Sequence, residues 1–371
     1  MMKNVFILEN SSKFYWGGGQ QVTLMVAKIL KDEISGLYLA DYKSDMLFPQ
    51  LIKEYIDEAH TIHLLGKRFR NPFTNKESKP LELFISFVTL PLNLFRLRRF
   101  CNRNNLTHNN TIIYCITKKV LLLAYFLSLF FKFKYIYHSH MVVSNAGMTG
   151  KLLNKELKRS SLNICVSKTV QESIPYPNTK LIYNALDVCN VYNKMPHENF
   201  VVSVVGSIVP IKGFDVFVDS YKYLKHDGIE YRIYGSGYKE KELRNIIEEN
   251  GYDSIKLMGF KKDILRELEE TDVLVLPTII KEASPLVVLQ SFLLSIPCVA
   301  TNIGGQAENI VDGVNGFLVP VNDAKAIAEK INFLFENPDE YKKISLKSHE
   351  TYSKFTFEKF KVEILDVFRS I

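Results

Sequence analysis

Apolar runs and polar loops alternate along the chain in two series of strand–loop–helix units. Val5–Leu8 is a short apolar run, and Gln21–Leu30 follows with Val22, Met25, Val26, Ile29 and Leu30 at helical spacing. Leu37–Ala40, Ile112–Ile116, Tyr135–His138 and Leu162–Val166 read as further strands. Residues 45–80 carry little pattern beyond turn signals such as Asn71-Pro72. Apolar content falls around Val191–Asn199, where Pro196 marks a linker. A second series begins at Val201–Val205, rich in β-branched residues as a strand covered on both faces should be. Strands Tyr231–Tyr234 and Ile255–Met258 alternate there with helices Phe214–Leu224, Lys239–Glu249 and Asp263–Glu270. Asn315–Val319, two further helices and an amphipathic Phe355–Ile371 close the chain. The rhythm predicts an α/β fold.

Asp272–Gly305 is the clearest unit. A buried strand, Val273–Leu276, is closed by Pro277, and a loop carrying Glu282 follows. Ser284 is expected to cap a helix that starts at Pro285. The strand Cys298–Thr301 then ends in Gly304-Gly305. In parallel sheets ligands bind beyond the carboxyl ends of the strands. Glu282 belongs to that edge, and the amides of Leu286 and Val287 would offer a phosphate a helix N-terminus.

Composition adds a length and an asymmetry. At 371 residues the chain can form two domains. Its net charge of +7 combines +13 over residues 1–195 with −6 over 196–371. No acid lies between Glu82 and Glu156, where ten Lys or Arg occur. Leu81–Phe100 is almost wholly apolar until Arg96, Arg98 and Arg99, with Arg103 beyond. Pro91 is expected to interrupt it, leaving about 15 residues against the roughly 20 that span a bilayer. Val120–Phe131 is a second apolar run, flanked by Lys118, Lys119, Lys132 and Lys134. It reads as a buried helix, and the first run as a docking face. Residues 81–134 are therefore expected to meet an anionic inner-membrane surface. No nucleic-acid-binding module is recognisable. The five Cys are odd in number, and a reducing cytoplasm is their simplest reading. The N-terminal MMKNVFILEN reads as a first strand and not as a signal peptide. His60 and His63, three apart with no further ligand nearby, read as surface histidines, with zinc binding as the minor alternative.

Glu282, seven residues, position 290, an apolar stretch with Pro297, a strand and Gly304-Gly305 together resemble the signature of family 4 retaining glycosyltransferases. That resemblance implies a GT-B fold: two Rossmann-like domains whose parallel sheets face a cleft. Residues 1–190 would bind the acceptor, with 355–371 packing back on them, and 196–354 would bind the nucleotide-sugar. It implies that Glu282 contacts the donor sugar and that position 290 holds the ribose. This chain has Gln290 where the family has an acid. Lys212 matches a phosphate-binding Lys, while Ser207 stands at the position of its partner Arg. Gly17 and Gly18 match the glycines of the family's first loop, Lys13–Gly19 here, with Gln20 in place of Glu. His138, with His140 second, falls at a strand end where the family places a His facing the donor sugar. Tyr183-Asn184-Ala185-Leu186-Asp187 resembles the element that closes the first domain, with Ala for Gly.

The catalytic expectation is therefore His138, Glu282 and Lys212, with His140 as alternative. The donor-binding expectation is Gly17, Gly18, Gly206, Ser207, Gly235, Phe260, Lys261, Ser284, Leu286, Val287 and Gln290. No metal or cofactor is expected. The implied function is retaining transfer from a nucleotide-sugar, taken as a UDP-sugar, to a glycan carried on a lipid. It would serve cell-surface polysaccharide synthesis in the cytoplasm, peripherally at the inner membrane face. Gln20, Ser207 and Gln290 each remove a charge, which leaves a catalytically impaired binding or regulatory protein as one alternative. A nucleotide-sugar epimerase is the other.

Overall fold

The computed structural model describes residues 3–10, 17–42, 47–66, 79–144, 147–188, 192, 194–195 and 198–371. The expected features at Lys13–Trp16, Asn71-Pro72 and Pro196, and the apolar side chains of residues 81–87, lie outside the described residues. The chain divides into two compact units. One comprises 1–166, 170–182 and 361–371, the other 167–169 and 183–360.

The first unit contains strands β1 (Asn4–Leu8), β2 (Leu37–Tyr42), β3 (Thr61–Leu64), β4 (Thr111–Cys115), β5 (Lys134–Ser139), β6 (Leu162–Cys165) and β7 (Thr179–Leu181). They form one parallel sheet in the order β3-β2-β1-β4-β5-β6-β7. Helices α1 (Gly18–Lys31), α2 (Leu47–Ile52), α3 (Lys79–Arg103), α4 (Lys118–Phe131), α5 (Gly147–Arg159) and α6 (Lys168–Glu172) connect them. Every residue of β4 is buried, as β-branched and aromatic residues covered on both faces should be.

Pro91 does not interrupt α3, which is one helix of 25 residues. A proline deletes one backbone donor and crowds the preceding turn. Here its ring lies on the exposed side of the helix. The inner side of α3 is fixed by Leu97 and Cys101, both fully buried, and by Asn93. The Asn93 amide accepts from Leu65 N–H at 2.7 Å and donates to the Leu65 carbonyl at 2.9 Å. Val88, Leu92 and Phe95 stay exposed on the outer side. Helix α4 buries Val120, Leu121, Leu123, Ala124 and Leu127 but leaves Leu129 and Phe130 exposed. Arg98 lies 4.7 Å over the Phe131 ring and joins the two helices. Among the described residues, no helix is long and apolar enough to cross a membrane.

The second unit contains β8 (Phe200–Val205), β9 (Ile229–Tyr234), β10 (Ile255–Gly259), β11 (Val273–Leu276), β12 (Cys298–Thr301) and β13 (Gly316–Val319). Their order, β10-β9-β8-β11-β12-β13, is again parallel throughout. The helices are α7 (Phe214–Ser220), α8 (Glu240–Glu249), α9 (Ile264–Leu268), α10 (Leu286–Leu293), α11 (Ala324–Glu336), α12 (Pro338–Tyr352) and α13 (Phe357–Ser370), the last mostly in the first unit. Two apolar cores form here. One gathers Val202, Phe217, Ile233 and Ile331, the other Leu274, Leu289, Phe292 and Ala300. Each buried Val, Leu, Ile or Phe contributes about 1.5–3 kcal/mol. Ser203, the one polar residue inside β8, is buried and shares a 2.8 Å hydrogen bond with Thr271. The two units are Rossmann-like α/β domains, the architecture of GT-B glycosyltransferases.

Candidate active site

In the second unit the strand order reverses between β8 and β11. Side chains in the two following loops converge where such a sheet opens a crevice. The loop after β8 makes a tight turn at Pro210–Lys212, and Gly213 leaves it in the left-handed region, at φ +67°. A Cβ at Gly213 would come within 2.1 Å of the Pro277 carbonyl oxygen, so only glycine lets the two loops touch. Ile279 N–H and the Thr278 hydroxyl both donate to the Ile211 carbonyl, at 3.1 and 2.9 Å. This contact puts the Lys212 ammonium 2.7 Å from a Glu282 carboxylate oxygen. The two side chains are 29% and 16% exposed, so the pair is partly screened and still open to a ligand.

The helix beyond Glu282 starts one residue later than expected. Pro285, extended at φ −68° and ψ 122°, is the cap, and the helix begins at Leu286. Ser284 therefore makes no capping hydrogen bond, and its carbonyl accepts from Asn184 Nδ2 at 3.3 Å. The first helical bond is Val288 N–H to the Pro285 carbonyl, so the amides of Leu286 and Val287 head α10. Gln290 is nearly buried on the same helix. Gly206 N–H donates to Tyr234 and Gly235 N–H to Gly259, which holds the ends of β8, β9 and β10 in line. Ser207 follows directly on Gly206, and Phe260 is exposed at the same edge. Lys261 is engaged by Glu267 at 3.1 Å.

In the first unit Gly17 caps α1 in an extended conformation, and Gly18 is its first residue. Gln20 reaches back to accept from Gly17 N–H at 3.4 Å, which is a local cap. His138, fully buried at the end of β5, shares a 2.7 Å hydrogen bond through Nδ1 with the Tyr114 hydroxyl. The His138 and His140 rings lie 4.5 Å apart, and the Nε2 atoms of both are buried without a hydrogen-bond partner among the described residues. Burial, and then the neighbouring His140, hold His138 well below the usual imidazole range. Burial lowers His140 to about 3. Both rings are neutral near pH 7, so each can donate or accept a hydrogen bond but supplies no charge. At the end of β1 burial, reinforced by Asp41, raises Glu9 to about 7. Its carboxylate accepts from the Thr23 hydroxyl and from Asn10 N–H. Among the described residues no three His, Cys, Asp or Glu side chains gather as metal ligands.

Part of the chain is similar to known proteins. Residues 192–350 match the family of glycosyl transferases group 1. The matched segment contains Lys212, Glu282 and Gln290. An uncharacterized glycosyltransferase of Methanocaldococcus jannaschii is 29% identical over 56% of this chain and 59% of its own length. The capsular polysaccharide biosynthesis glycosyltransferase CapM of Staphylococcus aureus is 27% identical over 53% and 52%. The chain thus spans little more than half of these relatives. The crystal structure of Anabaena HepE in complex with UDP-glucose superposes over the full length of both chains, with a TM-score of 0.82 at 21% identity. At that identity the likeness is one of fold.

Sequence reasoning did not find Tyr114 or Gln306. Tyr114 is a polar-tipped residue inside a buried strand, which calls for a partner. Gln306 directly follows the Gly304-Gly305 pair.

Proposed function

We propose that the protein is a retaining glycosyltransferase that moves a sugar from a UDP-sugar to a lipid-linked glycan during surface polysaccharide synthesis. The observation that carries this reading is the meeting of Lys212 and Glu282 at the strand reversal of a segment matching group 1 glycosyl transferases. In this reading Lys212 and the Leu286 and Val287 amides hold the diphosphate. Glu282 holds the sugar hydroxyls, and Gln290 offers its amide to the ribose. The bond from sugar C1 to phosphate oxygen breaks as the acceptor oxygen bonds to C1 on the same face. The acceptor proton passes to the departing phosphate, so the protein supplies no base. The neutral His138 and His140 fit a role in hydrogen bonding to a sugar. The donor nucleotide is suggested by the UDP and UDP-glucose complexes of HepE, and the pathway by the capsular assignment of CapM.

The acceptor is assigned to a membrane-borne carrier on the exposed apolar stripe of α3 and α4. Basic residues Arg96, Arg99, Lys132 and Lys134 accompany that stripe. Each Lys or Arg close to an anionic bilayer contributes on the order of 1 kcal/mol. Such docking would keep the enzyme at the inner face of the cell membrane.

The test is a screen of nucleotide-sugars for thermal stabilisation, repeated with Glu282→Ala. A ligand at a hundred times its Kd stabilises the fold by about 2.7 kcal/mol, a shift of several degrees. Stabilisation of the wild type by one donor beyond that given by its free nucleoside diphosphate, with this difference lost in the variant, is the expected result. No response to any donor, or an undiminished difference in the variant, refutes the assignment.

A further inference from the structure

We infer that Gln306 is a positioning residue for Glu282, the one that aims its carboxylate at the donor sugar; this rests on the donor-site reading above. The loop Ile280–Glu282 carries no helix or extended strand, so its shape must come from what lies beneath. Beneath it is the chain that follows β12. Glu282 and Gly304 form an isolated parallel bridge, and Gly305 N–H donates to the Glu282 carbonyl at 2.7 Å. Gln306, only 1% exposed, grips both sides of the loop. Its amide oxygen accepts from Glu282 N–H at 3.1 Å, and its Nε2 faces the Ile280 carbonyl at 3.4 Å.

The approach is too close for side chains on the preceding pair. A Cβ on Gly305 would lie 1.7 Å from the Ala283 carbonyl oxygen, and one on Gly304 within 2.7 Å of Lys281 Cα. The glycines let the strands meet, and Gln306 then fixes the rotation of the Glu282 peptide. The salt bridge to Lys212 holds the carboxylate end of the side chain, and Gln306 holds the backbone end. A diphosphate that draws Lys212 away leaves the Glu282 backbone bonds, to Gln306 on its N–H and to Gly305 on its carbonyl, to set where Glu282 points.

The experiment compares wild type with Gln306→Asn and Gln306→Met, using UDP and UDP-glucose as probes in calorimetric titrations. Hydrogen exchange of segment 279–283 is followed in parallel. Asn keeps an amide but draws it back by one carbon–carbon bond, about 1.5 Å. Met fills the space without a hydrogen bond. Exchange at Glu282 should quicken about tenfold in both, the loss of one ordinary hydrogen bond. Affinity for UDP should stay within about twofold, while the ratio of the two affinities shifts about fivefold against UDP-glucose. Unchanged exchange overturns the clamp. An equal loss for both probes overturns the positioning role, because it marks general loosening. Should Gln306→Met fail to fold, Gln306→Asn decides the same points. If wild type binds neither probe, the donor reading falls, and the exchange result still decides the clamp.

Discussion

Replacing Glu282 by Gln should tighten the binding of free UDP while destroying sugar transfer. In the present structure the Lys212 ammonium lies 2.7 Å from the Glu282 carboxylate. A nucleoside diphosphate must compete with that carboxylate for the cation. Ser207 brings no charge to the turn after β8. Two unit charges about 4 Å apart attract by about 4 kcal/mol at an effective dielectric constant of about 20. Both side chains are partly exposed, and separating them regains hydration, so the net opposition is closer to 1–2 kcal/mol. Neutralising Glu282 removes that opposition, which lowers the Kd for UDP about 5- to 30-fold. Isothermal titration of UDP into wild type, Glu282→Gln and Lys212→Met measures it. Lys212→Met should weaken UDP binding, and raising the salt to about 0.5 M should shrink every difference. A Glu282→Gln protein that binds UDP no more tightly than wild type refutes the idea that the pair restrains the cation.

Three further outcomes are expected. Phe95→Asp combined with Phe130→Asp should abolish flotation with vesicles containing anionic phospholipid and leave UDP binding intact; undiminished flotation would exclude the α3–α4 face. Gly213→Ala forces a side chain against the Pro277 carbonyl at positive φ, and a loss of about 2–3 kcal/mol is expected from chemical denaturation. A variant as stable as wild type would show that the loops do not need that contact. Glu9 concerns pH: its folded value near 7 exceeds the unfolded 4.5, so the folded state holds the proton more tightly. Its contribution is therefore complete below about pH 4.5 and lost as pH rises through 7, about 3 kcal/mol in all. Buried His138 and His140, shifted downward, oppose this trend as pH falls below the ordinary imidazole range. The difference between wild type and Glu9→Gln isolates the carboxyl, and parallel melting profiles from pH 5 to 8 would contradict it.

Much of the architecture was legible because buried parallel strands write continuous apolar runs. Val273–Leu276 and Cys298–Thr301 appear as read, and the helix after Glu282 is displaced by one residue. That displacement is a cap choice between Ser284 and Pro285, and either residue suits a helix start. Pro91 misled more seriously. Local propensity says break, whereas packing of Leu97 and Cys101 on one side of α3 outweighs a lost donor on the other. The site was legible only as separate residues. Lys212 and Glu282 lie 70 positions apart and meet because β8 and β11 are neighbours, a fact of strand order that no local pattern records. The Tyr114–His138 bond, across β4 and β5, is of the same kind. Gln306 was missed because a buried amide 24 positions from its partner leaves no periodic trace.

The first unit is built from both ends of the described chain. Residues 361–371 complete it, with Phe368 packed 5.7 Å from the Tyr114 ring. The ammonium groups of Lys3 and Lys134 both donate to the Ile371 carbonyl. On the ribosome the second unit can therefore close as a nearly continuous stretch, while the first waits, one helix short, for the segment after Phe360. Until then part of the β4 surface that α13 covers stays bare, next to a basic and strongly apolar sequence. Apolar surface left open in that interval is the kind through which partly folded chains misassociate.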